Sequence, residues 1–346
     1  MIYQALYALL KTTSNKNQIY KQNEIAWLSV LQGFAMFLVV LGHVIHGSAL
    51  FEWEYVLQNI IYSFHMPLFM CISGFLLYKT QIIKEKPFAT VLKNKSIRLL
   101  IPYFTLPFVS FIPKMIFSEY MKRPVTFSLD QLLATFVWLT NNPLDEMWFL
   151  NVLFGLFLLY PIYCIISKKI VSALLLLLCF TFIHFAQFEI NSFIFNFNGI
   201  FYYGIFFYVG ILLARYDLFD RIKFNLLWII IIGCLLHSLT FYFYGRNIFT
   251  EFFGIIISFA FAIKISKVFP NLFSSFRNYT YQIFFIGVFC QVLLRILIKK
   301  IGIENGFGYI LFYVVSILTG IYVPVIVSKI VQKLNLKVLK LMIGLR

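Results

Sequence analysis

Three polar side chains near the start of the chain stand out because everything around them is apolar. His43 closes the run VVLGHVIHG, His65 lies in SFHMPLFMCISGF, and Gln32 precedes His43 by eleven residues. A neutral imidazole takes up a proton near pH 7, so each histidine is a candidate general base. The alternative at position 43 is a histidine at the water interface, and at 65 a hydrogen-bonded core histidine. Eleven residues are close to three helical turns, so Gln32 and His43 share one face about 16 Å apart. Such a stripe reads as a line facing a protein interior. Pro67 removes a backbone donor two residues after His65 and predicts a kink, and Ser73–Gly74 lets another backbone approach closely. His43 and His46 form H-x-x-H, but no carboxylate or third ligand is near in sequence, so no metal site is expected. His184 and His237 stand alone near helix ends and read as structural or interfacial.

Two further groups carry charge beside apolar runs. Lys95 and Arg98, in KNKSIRLLIPYF, are spaced i and i+3 and share a helix face where a span begins. Such cations can anchor the helix, hold lipid headgroups, or hold the phosphates of a cytoplasmic ligand. Asp145–Glu146–Met147–Trp148 puts two carboxylates and an indole directly before another apolar run, which also suits ordinary edge charges.

These residues must be held by helices in lipid. Of 346 residues, 61% are hydrophobic and 12% charged, about half the charge a soluble domain carries. Aromatic residues make up 20%, and Tyr and Trp favour the membrane interface. The net charge of +16 is spread between apolar runs rather than gathered on one face, so nucleic-acid binding is not expected. Cys71, Cys164, Cys179, Cys234 and Cys290 all lie in apolar segments without a C-x-x-C pair, and read as small core residues.

The expected fold is therefore all-α: a polytopic membrane helix bundle of about ten transmembrane helices. The spans are predicted at 25–45, 56–78, 99–117, 147–166, 170–187, 196–214, 224–244, 247–266, 280–298 and 308–328. Residues 1–24 lack the basic start of a signal peptide and read as a cytoplasmic lead-in. Residues 25–330 form one membrane domain, and 331–346 a basic cytoplasmic tail. The polar-punctuated stretch 118–146 reads as an outer loop with a helix on or dipping into the membrane. With the N-terminus inside, cytoplasmic segments hold 22 Lys/Arg and outer ones 7. That asymmetry supports an even number of spans and both termini in the cytoplasm. Lys299–Lys300 is the one local violation.

In order and spacing, five segments resemble the acyltransferase-3 family of membrane acyltransferases. They are WLSVLQGFAMFLVVLGH at 27–43, SFHMPLFMCISGFLLYK at 63–79, KSIRLLIPYF at 95–104, EMWFLNVLFGLFLLYP at 146–161 and GIFFYVGILLARY at 204–216. The resemblance spans roughly residues 25–330. It implies a multi-pass protein of the bacterial inner (plasma) membrane that takes an acyl group, usually acetyl, from cytoplasmic acyl-CoA. The group passes to a hydroxyl of a surface polysaccharide or lipid-linked glycan, so the chain reads as an O-acetyltransferase with acetyl-CoA as donor and no metal. His43 matches the family's essential histidine, and Lys95 with Arg98 matches its basic pair, linked to holding CoA. Lys in the first position keeps charge but not the bidentate fork. His65 and Gln32 are then expected to line the acyl channel, and Glu146 and Trp148 to lie at the acceptor mouth. General-base catalysis by His43 fits an already activated thioester, and an acyl-histidine route is the alternative.

Two departures qualify the match. Ser29 stands where the family usually has an acidic residue, and Gln32 where it has Arg or Lys. Gln32 can still hydrogen-bond an amide or carbonyl but cannot neutralise phosphate. A divergent active enzyme, an enzyme with another cation in that role, and an inactive relative all stay open. From a different class, a lipid-linked glycan flippase or exporter would share the span count and intramembrane polar residues, and a glycan polymerase is a third reading. Expected partners are the glycan acceptor and membrane lipids, with a second copy of the chain among the candidates.

Overall fold

Segments apolar on nearly every face can satisfy their backbone in lipid only internally, and helices do so residue by residue. A computed structural model describes residues 26–46, 49, 51–116, 128, 130, 145–166, 168–186, 188, 196–218, 225–302 and 306–345, and among these no strand occurs. The lead-in 1–24 and most of 118–146 lie outside the described residues. The helices are α1 (Ala26–Ile45), α2 (Glu52–Leu77), α3 (Phe88–Ile116), α4 (Trp148–Leu158), α5 (Tyr160–Ile166) and α6 (Ile170–Ala186). They continue with α7 (Phe197–Arg215), α8 (Leu226–Tyr244), α9 (Ile248–Ser266), α10 (Thr280–Ile301), α11 (Gly306–Lys333) and α12 (Lys337–Met342).

Every predicted span corresponds to helix, though not every one spans alone. Among the described residues eight helices are long and apolar enough to cross a membrane. The pair α4 and α5, bent by 45°, brings the number to nine if the two halves count as one span. Pro161 has no N–H to continue the α4 ladder, so the chain breaks at Leu159 and restarts. α6, with 17 residues, lies at the short end of the range that crosses a membrane. α2 stays helical through Pro67 and widens its bonding pattern to i→i+5 at its end, in a π turn over Tyr78–Ile82. The basic tail is ordered: α12 packs on α3, and Gln282 Nε2 donates to the Ile343 carbonyl at 2.7 Å.

The described chain divides into two compact units. The first comprises residues up to His65 together with 223–280, and the second 66–222 with 281 onward. In the first unit α8 and α9 form a tight hairpin. Gly245 ends α8 with φ +61, a left-handed conformation that costs glycine no Cβ clash. Asn247 then starts α9: its side chain accepts from the N–H groups of Phe249 and Thr250, while its own N–H donates to Thr250 Oγ1 at 2.9 Å. α8 leaves most of its surface uncovered, with Trp228, Leu235, Leu239 and Tyr242 exposed. Such a face suits lipid.

In the second unit α7 packs on α4 and α6, and α3 on α4. α2 and α7 cross so closely that their backbones touch. A Cβ at Gly74 would run into the Phe207 carbonyl, and one at Gly210 into the Cys71 carbonyl. Each helix thus places a glycine under the other's backbone three residues from the contact it receives, the small-residue crossing that membrane helices favour. Gly210→Ala is expected to destabilise this unit by about 2 kcal/mol through overpacking against backbone that cannot yield. A thermal unfolding midpoint in detergent indistinguishable from wild type would contradict it.

Candidate functional site

The first unit gathers its buried polar side chains where α1 and α8 end and α2 and α9 begin. His43 and His46 are half-buried, and Glu54, Gln58, Ser63, His65, His237 and Glu251 are buried. Tyr62 occupies the middle of the histidines, with ring centroids 6.4 Å from His43, 6.0 Å from His46 and 4.9 Å from His65. Its hydroxyl donates weakly to the Gly42 carbonyl at 3.4 Å, and its ring fills the space above Gly42. The aromatic body therefore sets the spacing of three imidazoles that the sequence separates by up to 22 positions.

Hydrogen bonding assigns the histidines different roles. His65 Nδ1 lies 2.9 Å from the Ile61 carbonyl, which can only accept, so Nδ1 carries the proton. Neutral His65 therefore keeps Nε2 as its basic nitrogen. His46 has the opposite tautomer: the Gln58 amide donates to Nδ1 at 2.7 Å, leaving the proton on Nε2. Ser63 gives its one proton to the Ile60 carbonyl and accepts from His237 Nε2 at 3.1 Å. His237 stacks on Phe241 as a wall residue. Arg246 Nε meets Glu251 at 3.0 Å, with the carboxylate fully buried and the guanidinium 43% exposed. No group of three His, Cys, Asp or Glu side chains comes together as a metal site among the described residues.

The other predicted residues are distributed between the units. Gln32 is half-buried on α1 in the first unit. Lys95 and Arg98 lie in the second, where their heads turn to different helices. Lys95 Nζ lies 3.7 Å over the Phe157 ring of α4, and the Arg98 guanidinium 4.2 Å over Tyr281 at the start of α10. Arg98 Nε is buried without a hydrogen-bond partner. Trp148 opens α4 and stacks on Tyr203 at 5.2 Å, with Glu146 half-buried in the preceding turn. One turn on, Asn151 is buried and donates to Tyr103 Oη at 3.4 Å. His184 Nδ1 donates to the Tyr202 carbonyl, a structural role.

The sequence reading did not single out Tyr62, Gln58, Glu54, Glu251 or Asn151. Gln58 and Asn151 carried a signal, a polar residue within an apolar helix. Tyr62 carried none, since one tyrosine among 21 is unremarkable until its neighbours are known.

Comparison with known proteins agrees with this architecture. A family model described as an acyltransferase domain matches residues 25–329. Nodulation protein NolL of Mesorhizobium japonicum is 30% identical over 133 residues, covering 37% of this chain and 33% of that protein. NolL of Sinorhizobium fredii is 31% identical over 150 residues, covering 41% and 38%. The chain thus aligns with 33% and 38% of these relatives' length. No solved structure matches.

Arg246→Ala should destabilise the first unit by about 2 kcal/mol, because it takes a charge partner from a buried carboxylate, the effect being tempered by the exposure of the arginine. Adding Glu251→Gln should restore most of the loss. Equal unfolding midpoints for wild type and Arg246→Ala would show that the pair contributes nothing.

Proposed function

This chain belongs to the acyltransferase-3 family of membrane acyltransferases, and from that membership we propose that it is an O-acetyltransferase of a bacterial inner membrane. In this reading it moves acetyl from cytoplasmic acetyl-CoA to a hydroxyl of a surface polysaccharide or lipid-linked glycan. The observation that carries the reading is the family match across residues 25–329, which includes every residue assigned a role here.

His43 is the general base. It lies beside the Tyr62 ring in a polar cluster at the end of α1, where lipid supplies no competing hydrogen bonds. It takes the proton of the acceptor hydroxyl as that oxygen bonds to the acyl carbon. The carbon–sulfur bond breaks, and the departing thiolate receives the proton back from the imidazolium. The donor contributes a thioester already activated for transfer. His65, held with Nε2 unprotonated, and Gln32 line the acyl path, and Gln32 offers an amide in place of a cation. Support for a phosphate-bearing donor comes from Arg98: its buried Nε without a partner is what a guanidinium leaves for an oxyanion. Lys95 provides a second charge nearby on α3. Trp148, stacked on Tyr203, offers a flat apolar face against which a sugar ring can rest.

Membranes expressing the chain should transfer label from acetyl-CoA into glycan, and His43→Ala should lower that transfer by about 10²–10⁴-fold with the protein still inserted. Undiminished transfer in His43→Ala would remove His43 from the chemistry. Silence of both samples, with native glycan present, would sink the acetyltransferase reading and leave flipping of a glycan lipid to be assayed.

A further inference from the structure

The motif GIFFYVGILLARY ends in two residues to which the proposed chemistry gives no task, Arg215 and Tyr216. Both help to line a cavity of about 950 Å³ in the second unit, formed where α2, α5 and α7 end and α3 begins. Three cations line it, Lys86, Lys168 and Arg215, against one carboxylate, Glu85. Part of its wall is aromatic: the Phe88 and Tyr160 rings lie within 11° of parallel, and Tyr160 Oη donates to the Lys86 carbonyl at 2.8 Å. Tyr216 Oη is buried with no hydrogen-bond partner, which a filled site would normally supply.

The frame around this cavity is strained in the same place. Glu85 and Asp217 both adopt positive φ, +47° and +45°, conformations that favour glycine. The Lys79–Asp217 ion pair, at 2.8 Å, clasps the end of α2 to the turn after α7 and holds that turn in shape. Net positive charge, flat rings and an unsatisfied buried hydroxyl together describe a receptor for a phosphorylated group bearing a planar base. In the topology with the N-terminus inside, all these helix ends face the cytoplasm. Phe88 and Lys95 are seven residues apart on one face of α3, about 10 Å along its axis.

We propose that this cavity binds the nucleotide end of the acyl donor, with Arg215 and Lys86 on its phosphates and Tyr216 Oη hydrogen-bonded to it, while Lys95 and Arg98 serve the donor deeper along α3. The inference rests on the acyl-CoA reading above and moves the main phosphate contact away from the pair that the sequence motif suggests.

Adenosine 3′,5′-bisphosphate, which has the nucleotide but no thioester, is the probe. Binding of the labelled probe to the purified full chain in detergent should weaken about tenfold in Arg215→Ala, the size of one charge-assisted hydrogen bond, and partly recover in Arg215→Lys. Lys168→Glu, a change at an exposed residue with little bearing on folding, should weaken it in the same direction. KM for acetyl-CoA should rise in step, with kcat little changed. Equal binding by wild type and all three variants, or displacement of the probe by phosphatidylglycerol vesicles but not by CoA, would overturn the cavity assignment and leave the transferase reading intact. Variant-sensitive nucleotide binding without His43-dependent acetyl transfer would uphold the cavity and overturn the transferase.

Discussion

Lipid offers no hydrogen bonds, so a polar side chain inside a membrane protein is tolerable only where the protein itself supplies the partner. That constraint organises the first unit. Histidines, glutamine, serine and glutamate collect at one end of four helices, and Gln58, Ser63, the Ile61 carbonyl and Arg246 are the partners that keep them there. Any partner also fixes a tautomer or a charge. The bond that makes His65 tolerable is the bond that leaves its Nε2 basic.

Close backbone packing supplies the complementary constraint in the second unit. Apolar side chains gain little by leaving lipid for other apolar side chains, so association depends on fit. Gly74 and Gly210 allow α2 and α7 to meet backbone to backbone, and Gly287 lies similarly under the Gly320 carbonyl, between α10 and α11. The ends of α2 and α7 are thereby brought together, and the Lys79–Asp217 ion pair closes them around a basic, aromatic cavity. Packing that uses no polar group thus positions a site made of them.

In the proposed reading, proton transfer falls to the histidine cluster of the first unit and recognition of an anionic donor to the cations of the second. Lys95 and Arg98 each lie over an aromatic ring, an arrangement that orients a cation on its helix.

The all-helical membrane fold and its helix positions were legible in the sequence because each rests on a local property. Long apolar runs must be helical in lipid, and a histidine within one is conspicuous. Even the family resemblance lay in short local strings. What depended on distance along the chain was not legible. The break at Leu159 follows from Pro161 yet divides a run that hydropathy alone reads as continuous, whereas Pro67 fails to break α2. The spacing of Lys95 and Arg98 placed them on one face, but which ring each head would meet depended on helices remote in sequence. Tyr62 among the imidazoles, His237 bonded to Ser63 across 174 positions, and Arg215–Tyr216 beside Lys86 are contacts that only packing creates. Local chemistry chose the solvent and the helices; the partner of each buried polar group was decided by which helices the glycines and prolines allowed to meet.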